Sequence, residues 1–211
     1  MTGRRRAGII TGMRRRLRGA VLAALLGTPA LVAGPAAAGG APGATPPASR
    51  AGARAGGPAV DSPVAGVAAG PAGGYWLVTA AGGVYPFGAA SSQGSAAGVA
   101  LASPVVGMAP TADGAGYWLV AADGGVFAYG DARFAGSMGG RRLAAPVAGV
   151  AGDPATGGYW LVAADGGVFA YGAPFLGSAG GHRLDAPVVG MAPTADGAGY
   201  WLVARDGGVF A

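Results

Sequence analysis

The sequence predicts an all-β chain built as an array of antiparallel units, with a repeat length of about 41 residues. Three observations carry this reading. Trp76, Trp118, Trp160 and Trp201 recur at a near-constant interval, and Pro63, Pro104, Pro146 and Pro187 keep the same one. The string "GYWLVAADGGVFAYG" at 116–130 returns letter for letter at 158–172, with a diverged copy at 74–88 and a shorter one at 199–211. Finally, no helical periodicity appears beyond Ala38, whereas Asp-Gly-Gly recurs between apolar, aromatic-rich runs and reads as a hairpin turn.

In chain order, the first element is a leader over residues 1–38. "MRRRLRG" at 13–19 is a positively charged start, "AVLAALLGTPALVAG" at 20–34 an apolar stretch, and "AAA" at 36–38 supplies small residues for cleavage, which together predict a secretory signal peptide. The alternative, an uncleaved anchor over 19–38, is opposed by Pro29, Pro35 and the weak hydrophobicity of Ala and Gly. Both readings place the rest of the chain outside the cell. Residues 39–62 hold almost no large apolar side chain, cannot bury enough surface to offset ordering entropy, and are expected to form a disordered Pro/Ala/Gly linker.

The repeat domain is expected over 63–211, in units 63–103, 104–145, 146–186 and 187–211. Within a unit, "PVVGMAP", "YWLVAA" and "VFAYG" read as strands and "FAGSM" as a fourth, giving three or four antiparallel strands. In "YWLVAA", Tyr117, Leu119 and Ala121 point one way and Trp118, Val120 and Ala122 the other, so both faces of the strand must be covered. Stacking neighbouring units supplies that cover. The unit length and strand number then favour blades of a β-propeller, with a β-solenoid or a β-trefoil as alternatives. The four tryptophans are expected at equivalent core positions. The last unit stops at Ala211, short of the Tyr-Gly that follows in earlier copies, so the sequence is expected to be a piece of a longer protein or to close by assembling with itself.

The stretch "GYWLVAADGGVFAYGDARFAGSMGGRRLAAPVAGVA" resembles the secreted GYWLV/DGGVF repeats of high-GC Gram-positive bacteria. The resemblance covers residues 63–211. It implies β-propeller-like blades in cell-wall or extracellular proteins, sometimes beside hydrolase domains.

Composition narrows the chemistry. Cys, Lys, Glu and Asn are absent from the sequence, which removes disulfides, thiol nucleophiles, thiolate metal sites and lysine Schiff bases. The formal net charge of +5 belongs to the leader: seven of the 14 arginines lie at or before Arg18, and the remaining seven face nine aspartates, a net charge of −2. Arg141 and Arg142 are the one adjacent pair beyond the leader, so a nucleic-acid interface is not expected. His182 is the single histidine, and its repeat counterpart is Arg141, which marks a solvated loop rather than a catalytic base. Asp123, Asp165 and Asp206 precede Gly-Gly and read as turn carboxylates; Asp131, Asp153 and Asp185 are not repeated and are the carboxylates from which an acid/base pair would have to come.

Tyrosines reaching the rim are the candidates for ligand contact, namely Tyr117, Tyr129, Tyr159 and Tyr171. No cofactor, metal or catalytic residue is expected. Identical repeats create several equivalent surfaces rather than one asymmetric site, so the expected function is a secreted, non-enzymatic scaffold binding a cell-wall polymer, a polysaccharide or a surface protein, with no membrane contact after signal removal. The alternative is an accessory β-propeller domain from a secreted hydrolase.

Overall fold

The computed structural model describes Val60 and residues 62–211. The predicted signal peptide and nearly all of the predicted linker lie outside these residues. Among the described residues, twelve strands form four three-stranded antiparallel sheets, one per repeat unit. Unit 1 holds β1 (Val64–Ala69), β2 (Tyr75–Thr79) and β3 (Val84–Phe87); unit 2 holds β4 (Val105–Pro110), β5 (Gly116–Ala121) and β6 (Val126–Gly130). Unit 3 holds β7 (Val147–Gly152), β8 (Tyr159–Ala163) and β9 (Val168–Tyr171), and unit 4 holds β10 (Val188–Pro193), β11 (Tyr200–Ala204) and β12 (Val209–Phe210).

The register is the same in every unit. Leu77, Leu119, Leu161 and Leu202 pair with Val67, Met108, Val150 and Met191 on the first strand. An irregularity recurs in the first strand between Val and Gly, as between Val105 and Gly107, and behaves as a β-bulge that bends the strand at the same point in each unit. The hairpin "AADGG" is a type I turn closed by a left-handed glycine: Gly124 donates to the Ala121 carbonyl at 2.8 Å with φ +80, and Ala121 donates to Gly125 at 2.8 Å. Asp123 does not adopt positive φ; its carboxylate instead accepts the Gly125 N–H at 3.0 Å, as do those of Asp165 and Asp206 from Gly167 and Gly208.

Successive units meet at their first strands, with β1 packing on β4, β4 on β7 and β7 on β10. The approach is close at glycine, since a Cβ on Gly66 would lie 3.8 Å from the Gly107 Cα and one on Gly149 3.8 Å from the Gly190 Cα. All four first strands line one narrow axial space of about 10 Å³, room for roughly one water. Sheets arranged about a shared axis by their first strands are propeller blades, which separates this fold from the solenoid and trefoil alternatives. Backbone bonds join neighbours as well: Val105, Val147 and Val188 donate to Ala80, Ala122 and Ala164 of the preceding unit, each at 2.9 Å.

The core is three clusters, each shared by two units. Trp118 and Val120 of unit 2 pack with Val147, Val150, Tyr159 and Leu161 of unit 3, and the pattern repeats on either side. The alternation within "YWLV" thus divides the strand: Tyr and Leu face the preceding unit, Trp and Val the following one.

The segment "FAGSM" departs from expectation, because among the described residues it forms no strand after β6, nor does its counterpart after β9. Its backbone is engaged at isolated points instead of along a ladder. Met138 donates to the Gly124 carbonyl at 2.9 Å, holding the segment against the hairpin of its own unit.

Candidate functional site

The closing segments that follow β3, β6 and β9 are clasped from two sides, and this arrangement fixes where the aromatic side chains point. From its own unit, the indole N–H of Trp118 donates to the Arg133 carbonyl at 2.9 Å, and Trp76 and Trp160 donate likewise to Ser91 at 2.8 Å and Pro174 at 2.7 Å. From the next unit, the hydroxyls of Tyr117, Tyr159 and Tyr200 donate to the carbonyls of Gly94, Gly136 and Gly177, each at 2.5 Å. The Tyr117 and Tyr159 hydroxyls also accept from the N–H groups of Gln93 at 3.0 Å and Ala135 at 3.2 Å. A buried phenol with its oxygen both donating and accepting is a satisfied structural group.

Two of the four candidate rim tyrosines are therefore corrected. Tyr117 and Tyr159 are fully buried between units, and a ligand has no access to them. Tyr129 and Tyr171 are half-buried and pack against them, with ring centroids 5.9 Å apart for Tyr117–Tyr129 and 5.6 Å for Tyr159–Tyr171. They also cover glycines of the preceding closing segment: a Cβ on Gly94 would collide with the Tyr129 ring, and one on Gly136 with the Tyr171 ring. Burial raises the phenol pKa of Tyr129, with a contribution from Tyr117, and burial likewise raises that of Tyr171.

The tryptophans are not all equivalent. Trp76, Trp118 and Trp160 are buried, whereas Trp201 is 47% exposed. The reason is its neighbourhood rather than its strand: among the described residues no unit covers the outer face of β11, and no closing segment receives its indole N–H. A cleft of about 650 Å³ lies on the other side of the strand, between the closing segment of unit 3 and unit 4, lined by Leu176, His182, Leu184, Tyr200, Trp201 and Phe210 among others. His182 is exposed in its wall, as the expected solvated loop position requires.

The carboxylates are occupied locally. Asp131 accepts from the Thr111 hydroxyl at 3.0 Å, and that hydroxyl also bonds Asp113 at 2.9 Å. The Ala115 N–H and the Thr111 hydroxyl hold the exposed Asp113 carboxyl below its ordinary range, and Thr194 and Ala198 do the same for Asp196. Asp153 is buried in a turn of unit 3, accepting from the Ala155 N–H at 3.0 Å and the Thr156 hydroxyl at 2.6 Å. The geometry brings no two of Asp131, Asp153 and Asp185 into a hydrogen-bonded pair. Among the described residues no group of three or more His or Asp side chains is placed to hold a metal.

What the surface does offer was not among the candidates. Phe134 and Phe175 occupy equivalent positions in the closing segments of units 2 and 3, and each is 61% exposed. They sit beside the backbone groups that the buried tyrosines fix, so two flat apolar rings are presented from rigidly anchored loops. An aromatic residue inside a Gly-rich loop, rather than in an alternating run, was the signal.

No protein-family model and no curated protein matches the chain. Among solved structures it is similar to the crystal structure of BBS1N in complex with ARL6DN, at 16% identity and a TM-score of 0.44, with 71% of this chain and 51% of that chain covered. The chain thus spans about half the length of that structure's chain, and at this score the likeness carries no functional argument.

Proposed function

We propose that the chain is a secreted, non-enzymatic β-propeller-type module that binds a cell-wall polymer, a polysaccharide or a surface protein through equivalent sites on successive units. The observation that carries this reading is the recurrence of an exposed ring, Phe134 and Phe175, on loops anchored identically by the Trp–Tyr clasp. Rings of this kind stack on sugar faces or pack on apolar side chains without any ionisable partner. Support for the extracellular setting comes from the leader pattern and from the likeness to secreted GYWLV/DGGVF repeats.

Weak equivalent sites act together when they engage one polymer, raising the apparent affinity by about 10²-fold or more over either alone. The full chain should therefore sediment with purified cell walls from a high-GC Gram-positive bacterium. Phe134→Ala or Phe175→Ala alone should weaken binding, and the double variant should lose it, with circular dichroism unchanged. Undiminished binding by the double variant would refute this placement of the site, and no binding by the parent chain would refute the wall-binding reading.

A further inference from the structure

The closing segments of units 1, 2 and 3 are clasped alike but differ in charge. Each has a glycine whose carbonyl accepts the tyrosine hydroxyl: Gly94, Gly136 or Gly177. Two residues before that glycine stands the exposed ring, Phe134 or Phe175, and five residues after it a basic pair begins, Arg141-Arg142 or His182-Arg183. Unit 1 has Ser92 in place of the ring and Val99-Ala100 in place of the pair. Ring and cations are thus present together in two units and absent together in the third. Unit 2 adds Arg133 beside its ring, so three of the five arginines among the described residues fall within ten positions of one loop, on a body that carries eight aspartates. All three are exposed, and none is paired with a carboxylate among the described residues; Asp131, the acidic residue of this loop, is engaged by Thr111 instead. The backbone beneath them is held, since the Arg133 carbonyl accepts the Trp118 indole N–H and the Arg141 N–H donates to the Met138 carbonyl at 2.9 Å. Burial raises the pKa of the Tyr171 phenol and the Arg141 charge opposes that rise, which places the guanidinium beside unit 3.

We propose that the closing segment of unit 2 is a subsite for an acidic polysaccharide, whose sugar face stacks on Phe134 and whose anionic group, a carboxylate or a phosphodiester, is taken by Arg141 and Arg142. This rests on the reading of Phe134 as a contact ring and names the chemistry of what it contacts. A ring alone serves neutral and acidic sugars alike. Guanidinium groups add selection, because their planar donors match the paired oxygens of carboxylates and phosphates. Exposed arginines are ordinary on a protein surface; their confinement to loops that also carry a ring is what points to a ligand. A nucleic acid fits less well. A duplex carries a charge about every 1.7 Å, so much of it would lie over the surrounding aspartates, whereas an acidic polysaccharide separates its charges by sugar units and offers a ring face between them. Phe175 with His182 and Arg183 repeats the arrangement with one arginine, and Asp185 follows two residues on, so unit 3 holds the weaker anion subsite.

Co-sedimentation of the full chain with three forms of one purified cell wall tests the proposal. The first is untreated, the second has its carboxylates converted to neutral amides with carbodiimide and glycinamide, and the third has its phosphodiester-linked polymers removed with hydrofluoric acid. The parent is expected to bind untreated walls and to bind at least one treated form about tenfold less tightly, which identifies the anion. Arg141→Gln combined with Arg142→Gln is expected to weaken binding to untreated walls by a similar factor and to leave binding to that treated form unchanged, whereas Phe134→Ala weakens both. Arg205→Gln, an exposed cation on the hairpin of unit 4, controls for net charge and is expected to bind like the parent. Binding that neither treatment nor the double variant weakens would overturn the anion subsite and leave the wall-binding reading standing; no binding to untreated walls would overturn both. An equal loss for Arg205→Gln would also overturn the subsite. So would displacement from the walls by a lower mass concentration of single-stranded DNA than of polysaccharide released from those walls, which marks a nucleic-acid surface instead.

Discussion

Trp118 of unit 2 meets Tyr159 of unit 3 across the unit boundary with ring centroids 5.2 Å apart, and both are bonded to the segment between them, Trp118 to Arg133 and Tyr159 to Gly136. The junction is thus an aromatic pair closed around a loop that has no strand of its own. Trp76–Tyr117 and Trp160–Tyr200 repeat it at 5.5 and 5.3 Å.

The hydroxyl of Tyr159 is as much a part of this junction as its ring. Tyr159→Phe keeps the ring but leaves the Gly136 carbonyl and the Ala135 N–H without their partner. The expected loss is about 1 to 3 kcal/mol, since unsatisfied buried groups retain their desolvation cost. Urea denaturation followed by tryptophan fluorescence measures it, and an unchanged midpoint would show that the closing segment is held by the Trp side alone.

Unit 1 replaces the turn aspartate with Ala81, and its Gly83 N–H is taken up by the Thr79 hydroxyl at 3.0 Å instead. Thr79→Ala is therefore expected to cost about 1 kcal/mol. Adding Ala81→Asp should recover most of that loss by restoring the carboxylate found in the other three turns. Urea midpoints of the single and double variants decide the matter.

Alkali should unfold the protein through its tyrosines. Burial raises the pKa of Tyr159 and Tyr200 above the ordinary value of 10.0, as it does for Tyr129 and Tyr171. The folded chain therefore holds these protons more tightly than the unfolded chain, so this contribution to stability is fully present below pH 10 and is lost as pH rises through the folded values. Lys and Cys are absent, so no other side-chain type titrates in that window. Urea midpoints on either side of pH 10 should fall with rising pH, and Tyr159→Phe should make the fall shallower.

Much of this junction is legible in the sequence, because "YWLV" has no polar face and must be covered twice. The division of labour between Tyr117 with Leu119 and Trp118 with Val120 follows from strand alternation alone. The inward placement of the Tyr117 and Tyr159 hydroxyls is not legible in their own strands, because their acceptors lie 23 residues upstream, in Gly-rich segments without periodicity. The environment of Trp201 is not legible at all from its own strand: "GYWLVA" is the same at Trp118 and Trp201, and one is buried and the other exposed only because of what lies beside it. "FAGSM" reads as a strand by composition, yet its backbone groups are bonded one at a time by side chains and a turn.

The claim that unit stacking through tryptophan holds the fold together is tested most directly by comparing Trp118→Ala with Trp201→Ala in urea. The two residues share a motif and differ in burial. Trp118→Ala is expected to lose about 3 to 5 kcal/mol, the cost of truncating a fully buried aromatic, and Trp201→Ala less than about 1 kcal/mol, as for a surface substitution. Equal losses at the two positions, or an unchanged midpoint for Trp118→Ala, would contradict the account.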